Sequence, residues 1–114
     1  MDQDHARKLL EERRRELDRV LHAAREQAQP SDELADYDQH PADAATETAE
    51  RTQFLSIIET TEASLRDLES AVKRLDEGRY GLCEVCGEPI PDDRLEALPE
   101  TPFHVEHAPQ TPAA

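Results

Sequence analysis

The sequence predicts an all-α chain: a long antiparallel two-helix coiled-coil hairpin followed by a small C-terminal globule. Three observations predict it. Phe54, Ile58, Thr61, Leu65, Leu68, Val72 and Leu75 follow alternating steps of four and three, the 3.5-residue period of a coiled-coil seam. An earlier apolar stripe, Leu10, Leu17, Leu21, Ala24 and Ala28, with Leu9 and Val20 beside it, marks another amphipathic helix. After Tyr80 the texture changes again, to a short proline-rich segment.

The first helix is expected from about Asp4 to Gln29, where Pro30 stops it. The heptads vanish in "PSDELADYDQHPADA", a connection over about 30–43. The second helix is expected from about Ala44 to Glu77, with Gly78 as a left-handed C-cap. Two stripes joined in this way suggest helices packed antiparallel along a 3-4 seam. Glu59, Glu62, Arg66, Asp67, Glu69, Lys73 and Arg74 lie between the seam positions. The basic run Arg13 to Arg15 is expected to pair with Glu11, Glu12 and Glu16 or with the opposing arm. His5 and His22 read as surface residues. The hairpin thus takes residues 1–79, the globule 80–108 with a short helix over Pro91 to Leu98, and a flexible tail 109–114.

Composition argues against this order, so the pattern has to carry it. Leu, Ile, Val and Phe together make under a fifth of the 114 residues, there is no Trp, and the formal charge is −14. Such values border on the disordered range. With 27 acidic against 13 basic side chains, the chain lacks the basic footprint of a direct sequence-specific nucleic-acid binder. A protein with a positive surface is the better partner. The N-terminus shows no signal peptide or membrane span, so a cytoplasmic monomer is expected. In that reducing compartment a close cysteine pair points to metal or redox chemistry rather than a disulfide.

Cys83 and Cys86 are the only cysteines, and His104 and His107 repeat their spacing after 17 intervening residues. Two such pairs can close on one structural zinc ion, for which two thiolates and two imidazoles are a standard set. Gly87 after the second cysteine permits a tight turn that aims backbone amides at the sulfurs. Zinc-finger histidines are usually three to five residues apart; here two intervene. Without metal, the segment would have to hold itself together around Leu82, Ile90, Leu95, Leu98 and Phe103, a small core for its length. Free thiols with surface histidines are the plain alternative. A thioredoxin-like redox pair is another, but it needs a strand before the cysteines and a helix starting at them. Gly87 and Pro89 interrupt any such helix.

Asp32, Glu33, Asp36, Asp38 and Asp43 crowd the connection between the helices. Carboxylates so placed could bind a divalent cation or approach one held elsewhere, though loop acids are usually solvated. Leu34, Tyr37, His40 and Pro41 among them suggest contact with a partner.

A helical hairpin with an acidic tip, followed by "YGLCEVCGEPIPDDRLEALP", resembles the DksA/TraR family of bacterial transcription regulators. The likeness covers nearly the whole chain and is most specific from Gly78 to Pro99; "YDQHPADAATETAER" is similar to the tip of the smaller, stress-associated members. The resemblance implies a protein that is not an enzyme but binds RNA polymerase and inserts its coiled-coil tip into the secondary channel. It places the family's tip aspartate and alanine on Asp43 and Ala45, and a further acidic tip position on His40. It also places the family's usual second cysteine pair on His104 and His107. The rival reading is a coiled-coil adaptor or structural zinc protein with a different protein partner.

Overall fold

The computed structural model describes residues 1–29 and 41–108, the side chains of 41–47 excepted. Helix α1 spans Gln3–Ala28, α2 Pro41–Asp76 and α3 Asp92–Ala97, and a 3-10 turn covers Val105–His107. Among the described residues there is no strand, only an isolated antiparallel bridge between Leu82 and Pro89. No helix among them is long and apolar enough to cross a membrane. The fold is the expected all-α hairpin with its small appendage.

Both apolar stripes are buried where the periodicity places them. Leu10, Leu17, Leu21, Ala24 and Ala28 of α1 are buried, and Ala6 extends the row by one turn. Val20, beside the stripe, is 41 % exposed, so the edge of the buried face lies there. In α2 the seam residues Thr61, Leu68 and Leu75 are buried, while Phe54, Ile58, Leu65 and Val72 are half-buried. Thr61 is polar, but its hydroxyl donates to the carbonyl of Ile57 at 2.7 Å, so no unsatisfied group is left behind.

Two details differ from the sequence reading. Helix α2 begins at Pro41, three residues before Ala44, because the first helical position needs no amide hydrogen and suits proline's fixed φ. Arg74, grouped with the charges between the seam positions, is instead only 6 % exposed.

The chain forms two compact units, one made of Met1–Arg15 and Ser64–Ala114, the other of Glu16–Ala63. Within the first, the start of α1 meets the end of α2. Gln3 Nε2 donates to the Leu75 carbonyl at 3.2 Å, and Arg7 pairs with Asp76 at 2.8 Å. Arg7, Leu10, Glu11 and Arg14 face Leu68, Val72 and Leu75 across a shallow cleft. Within the second unit, Arg25 reaches Glu62 at 3.3 Å.

Helix α2 ends in a Schellman motif. Gly78 takes φ of 75°, the Arg79 amide donates to the Arg74 carbonyl at 2.8 Å, and the Gly78 amide donates to that of Leu75 at 3.1 Å. Beyond it Cys83, Ile90 and Leu95 form a small core against which Tyr80 and Phe103 pack. Leu82 and Leu98, expected in that core, are 41 % and 38 % exposed. Helix α1 fastens this segment from the side. Arg13 Nε donates to both carboxylate oxygens of Glu100, at 2.9 and 3.2 Å, His5 contacts Glu96 at 2.6 Å, and the N-terminal amine lies 3.7 Å from Asp92. Arg13 of the basic run therefore has a partner well outside its own helix.

Candidate metal centre

The segment after Gly81 folds back on itself through three backbone hydrogen bonds. The Cys83 amide donates to the Glu88 carbonyl at 2.9 Å, that of Ile90 to Gly81 at 2.7 Å, and that of Gly87 to Cys83 at 2.8 Å. Gly87 has φ of 76°, a conformation that side chains disfavour. This is the turn the sequence predicted after Cys86.

The fold brings three of the four expected donors together. The ligand atoms of Cys83, Cys86 and His107 all lie within 4.8 Å of one another. Cys83 is buried and Cys86 exposed. Cys83 Sγ is 3.5 Å from His107 Nδ1. A tetrahedral zinc ion with ordinary Zn–S and Zn–N bonds requires a sulfur–nitrogen edge of about 3.6 Å, so this pair already has the separation such an ion demands. The arrangement fits zinc.

The electrostatics favour a thiolate at Cys83. Burial pushes its thiol up, but the backbone amides of His104, Cys86 and Val85 and the ring of His107 are directed at the sulfur. Together they outweigh burial and bring the thiol down to about 6. Thiolate is the form that binds metal.

His104 is placed otherwise. Its ring Nε2 donates to the Glu88 carbonyl at 3.2 Å, and its ring stands edge-on to that of His107 with centroids 5.9 Å apart. Its amide serves the Cys83 sulfur, and with Nε2 held by a backbone carbonyl its Nδ1 stays available, the usual state of a metal-ligating histidine.

Two neighbours of the centre were not visible in the sequence. Glu84, between the cysteines, has its amide on the Pro102 carbonyl at 2.8 Å and its carboxylate 3.4 Å from Arg74 at the end of α2. Nearby, Arg94 Nε donates to the Phe103 carbonyl at 2.8 Å and fixes the strand of chain that leads into the histidines. Glu100 is the other, held by Arg13 and 4 % exposed. Neither lies in a helix, so the periodicity of the sequence does not single them out.

Of the expected tip residues, Asp36, Asp38 and His40 lie outside the described residues. Asp43 and Ala45 fall within the first two turns of α2, and their side chains are not described.

Comparison with known proteins agrees with this architecture. The sequence model of the prokaryotic dksA/traR C4-type zinc finger matches residues 78–103. The structure of transcription factor DksA2 from Pseudomonas aeruginosa is similar over 91 % of this chain and 78 % of that one, with 31 % identity and a TM-score of 0.68. The chain belongs to the DksA/TraR family. Among curated relatives, the uncharacterised protein YteA of Bacillus subtilis is 44 % identical over 68 % of this chain. The RNA polymerase-binding transcription factor DksA of Haemophilus influenzae is 34 % identical over 83 % of it. The matched stretches span 33 % of YteA and 63 % of DksA.

The finger match stops one residue short of His104. A C4 finger uses four cysteines, whereas this DksA/TraR chain has two. Zinc is the ion the family's finger carries, and two sulfurs with an imidazole suit it.

Proposed function

We propose that this chain regulates transcription by binding RNA polymerase directly, with the hairpin tip entering the enzyme's secondary channel. The observation that carries the reading is the likeness to DksA2 over 91 % of the chain. It includes the hairpin as well as the finger, so the resemblance is not that of an isolated zinc module. The net charge of −14 supports the same route. A channel that admits negatively charged nucleotides presents positive potential, which steers an acidic protein toward it.

On this reading Asp43 and Ala45 make the principal tip contacts, with Asp36, Asp38 and His40 beside them. The zinc is structural, with Cys83, Cys86 and His107 gathered around it and His104 as the fourth donor; bound there, it cross-links the two ends of a segment that has only three buried core residues. No catalytic residue is assigned.

Cross-linking to purified RNA polymerase tests the proposal, with a known secondary-channel factor as competitor. Binding that the competitor displaces is expected. Binding it cannot displace would refute channel entry, and no binding would favour an adaptor with another partner. Asp43→Asn is expected to abolish the effect on initiation in vitro while leaving the circular dichroism spectrum unchanged; normal regulation by the variant would refute the tip assignment.

A further inference from the structure

Arg74 has a costly position for an arginine. It is buried, and its Nε has no hydrogen-bond partner among the described residues. The carboxylate within ion-pair reach of it is that of Glu84, 3.4 Å from Nη1. Asp67, one heptad earlier on α2, also feels the charge, but burial pushes its carboxyl up against the pull of Arg74 and Arg66. Glu84 is thus the principal counter-ion, and a buried charge deprived of its partner is strongly destabilising.

Glu84 lies between the two cysteines of the metal turn, and hydrogen bonds fix the main chain around it. Its own amide donates to the Pro102 carbonyl at 2.8 Å, that of Cys83 to Glu88 at 2.9 Å, and that of Gly87 to Cys83 at 2.8 Å. The sulfurs of Cys83 and Cys86 meet His107 in the donor cluster, so an ion held there pins the chain on both sides of Glu84. Arg74 is fixed at its other end by the cap of α2, where its carbonyl accepts the Arg79 amide at 2.8 Å. Its main chain closes the helix while its side chain reaches the metal turn.

We propose that Arg74 is a positioning residue for the metal centre: through Glu84 it holds the Cys-x2-Cys turn in the shape that takes zinc, and bound zinc in turn steadies the last turn of α2. Binding free energies are reciprocal, so an ion pair that favours the metal is favoured by the metal to the same degree. Direct electrostatics has the opposite sign. A cation beside the site repels a divalent ion, and its removal alone would tighten binding. The inference rests on the zinc reading given above.

The test measures the zinc affinity of the full chain by competition with a chromophoric chelator, for wild type, Arg74→Met, Glu84→Gln and the double variant. Each single change is expected to weaken zinc about tenfold, the lower end of the range for an outer-shell contact. The double variant is expected to be no weaker than either, because the same contact is lost in all three. Hydrogen exchange at the Gly78 and Arg79 amides, which bond back to α2, is the second readout: removing zinc should speed it in wild type and change it much less in Glu84→Gln. Unchanged or tighter zinc binding by Arg74→Met, losses that add in the double variant, or exchange indifferent to zinc in wild type would each overturn the proposal and leave the zinc reading standing. Should Arg74→Met fail to fold, Glu84→Gln decides alone, since that side chain is 47 % exposed; unchanged affinity there would overturn the proposal too. Failure of the wild type to bind zinc would overturn both.

Discussion

Replacing Arg13 by methionine isolates one buried ion pair between α1 and the segment that carries the metal centre. The Glu100 side chain is 5 % exposed and that of Arg13 21 %, with Nε shared between both carboxylate oxygens. Methionine preserves most of the aliphatic volume and removes the charge. Removing one partner of a buried pair leaves an uncompensated charge and costs about 3–5 kcal/mol. Because Arg13 keeps some solvent contact, the lower end applies, about 3 kcal/mol. For a chain of this size that lowers the melting temperature by roughly 10 °C or more. Urea unfolding of the zinc-loaded protein followed by circular dichroism measures it. The double variant with Glu100→Leu should recover most of the loss, since a well-packed apolar pair can match a buried ionic one. A cost below about 1 kcal/mol for Arg13→Met alone, the level of an exposed pair, would refute the claim that α1 neutralises a buried carboxylate.

Other predictions follow from single residues. Leu68→Ala, at a fully buried seam position, should cost about 2–5 kcal/mol; Leu55→Ala, at a position 49 % exposed, should stay near 0.5 kcal/mol on the same urea curves. Burial, with smaller contributions from Glu100 and Glu96 and against the pull of Arg74, pushes the Tyr80 phenol up to about 12. The fold retains a proton there that the unfolded chain releases near its ordinary value of 10.0, so stability should fall as pH rises from that value through about 12. Tyr80→Phe should remove that slope and cost about 1 kcal/mol for the lost bond to the Pro99 carbonyl, 2.9 Å long in the native fold. Cys83 has the opposite sign. Its lowered value favours the anion in the folded chain, a contribution present above the ordinary thiol value of 9.0 and lost as pH falls through about 6. Zinc measured after desalting should be retained at about pH 7.5 and largely released at about pH 5. Unchanged metal content would refute His107 as a donor.

The hairpin was legible because its signal is local. Seven seam positions spaced by three and four residues leave one helical face to bury, and each of Phe54 through Leu75 in that row is at least half-buried. The finger was legible from the repeated spacing of Cys83 and Cys86 in His104 and His107. What escaped the sequence depends on residues far apart in the chain. The first stripe has a gap between Leu10 and Leu17, and Arg13 is half-buried within it because its partner, Glu100, lies 87 residues away. Arg74 is buried for the same kind of reason, with Glu84 as counter-ion. The direction of the His104 ring is set by the Glu88 carbonyl, and no spacing rule encodes that choice.

The unit that carries the metal centre is assembled from both the first 15 residues and everything after Ser64. That arrangement constrains how the protein can be made. As the chain leaves the ribosome, the opening turns of α1 emerge long before Asp76, Glu96 and Glu100, the residues that Arg7, His5 and Arg13 hold in the finished fold. Until those arrive, the buried face of the early helix has no cover, and such delayed long-range contacts slow folding. The intervening residues, Glu16–Ala63, form the other unit. A finger excised from the chain would retain its cysteines and histidines but lose the helix that fastens it.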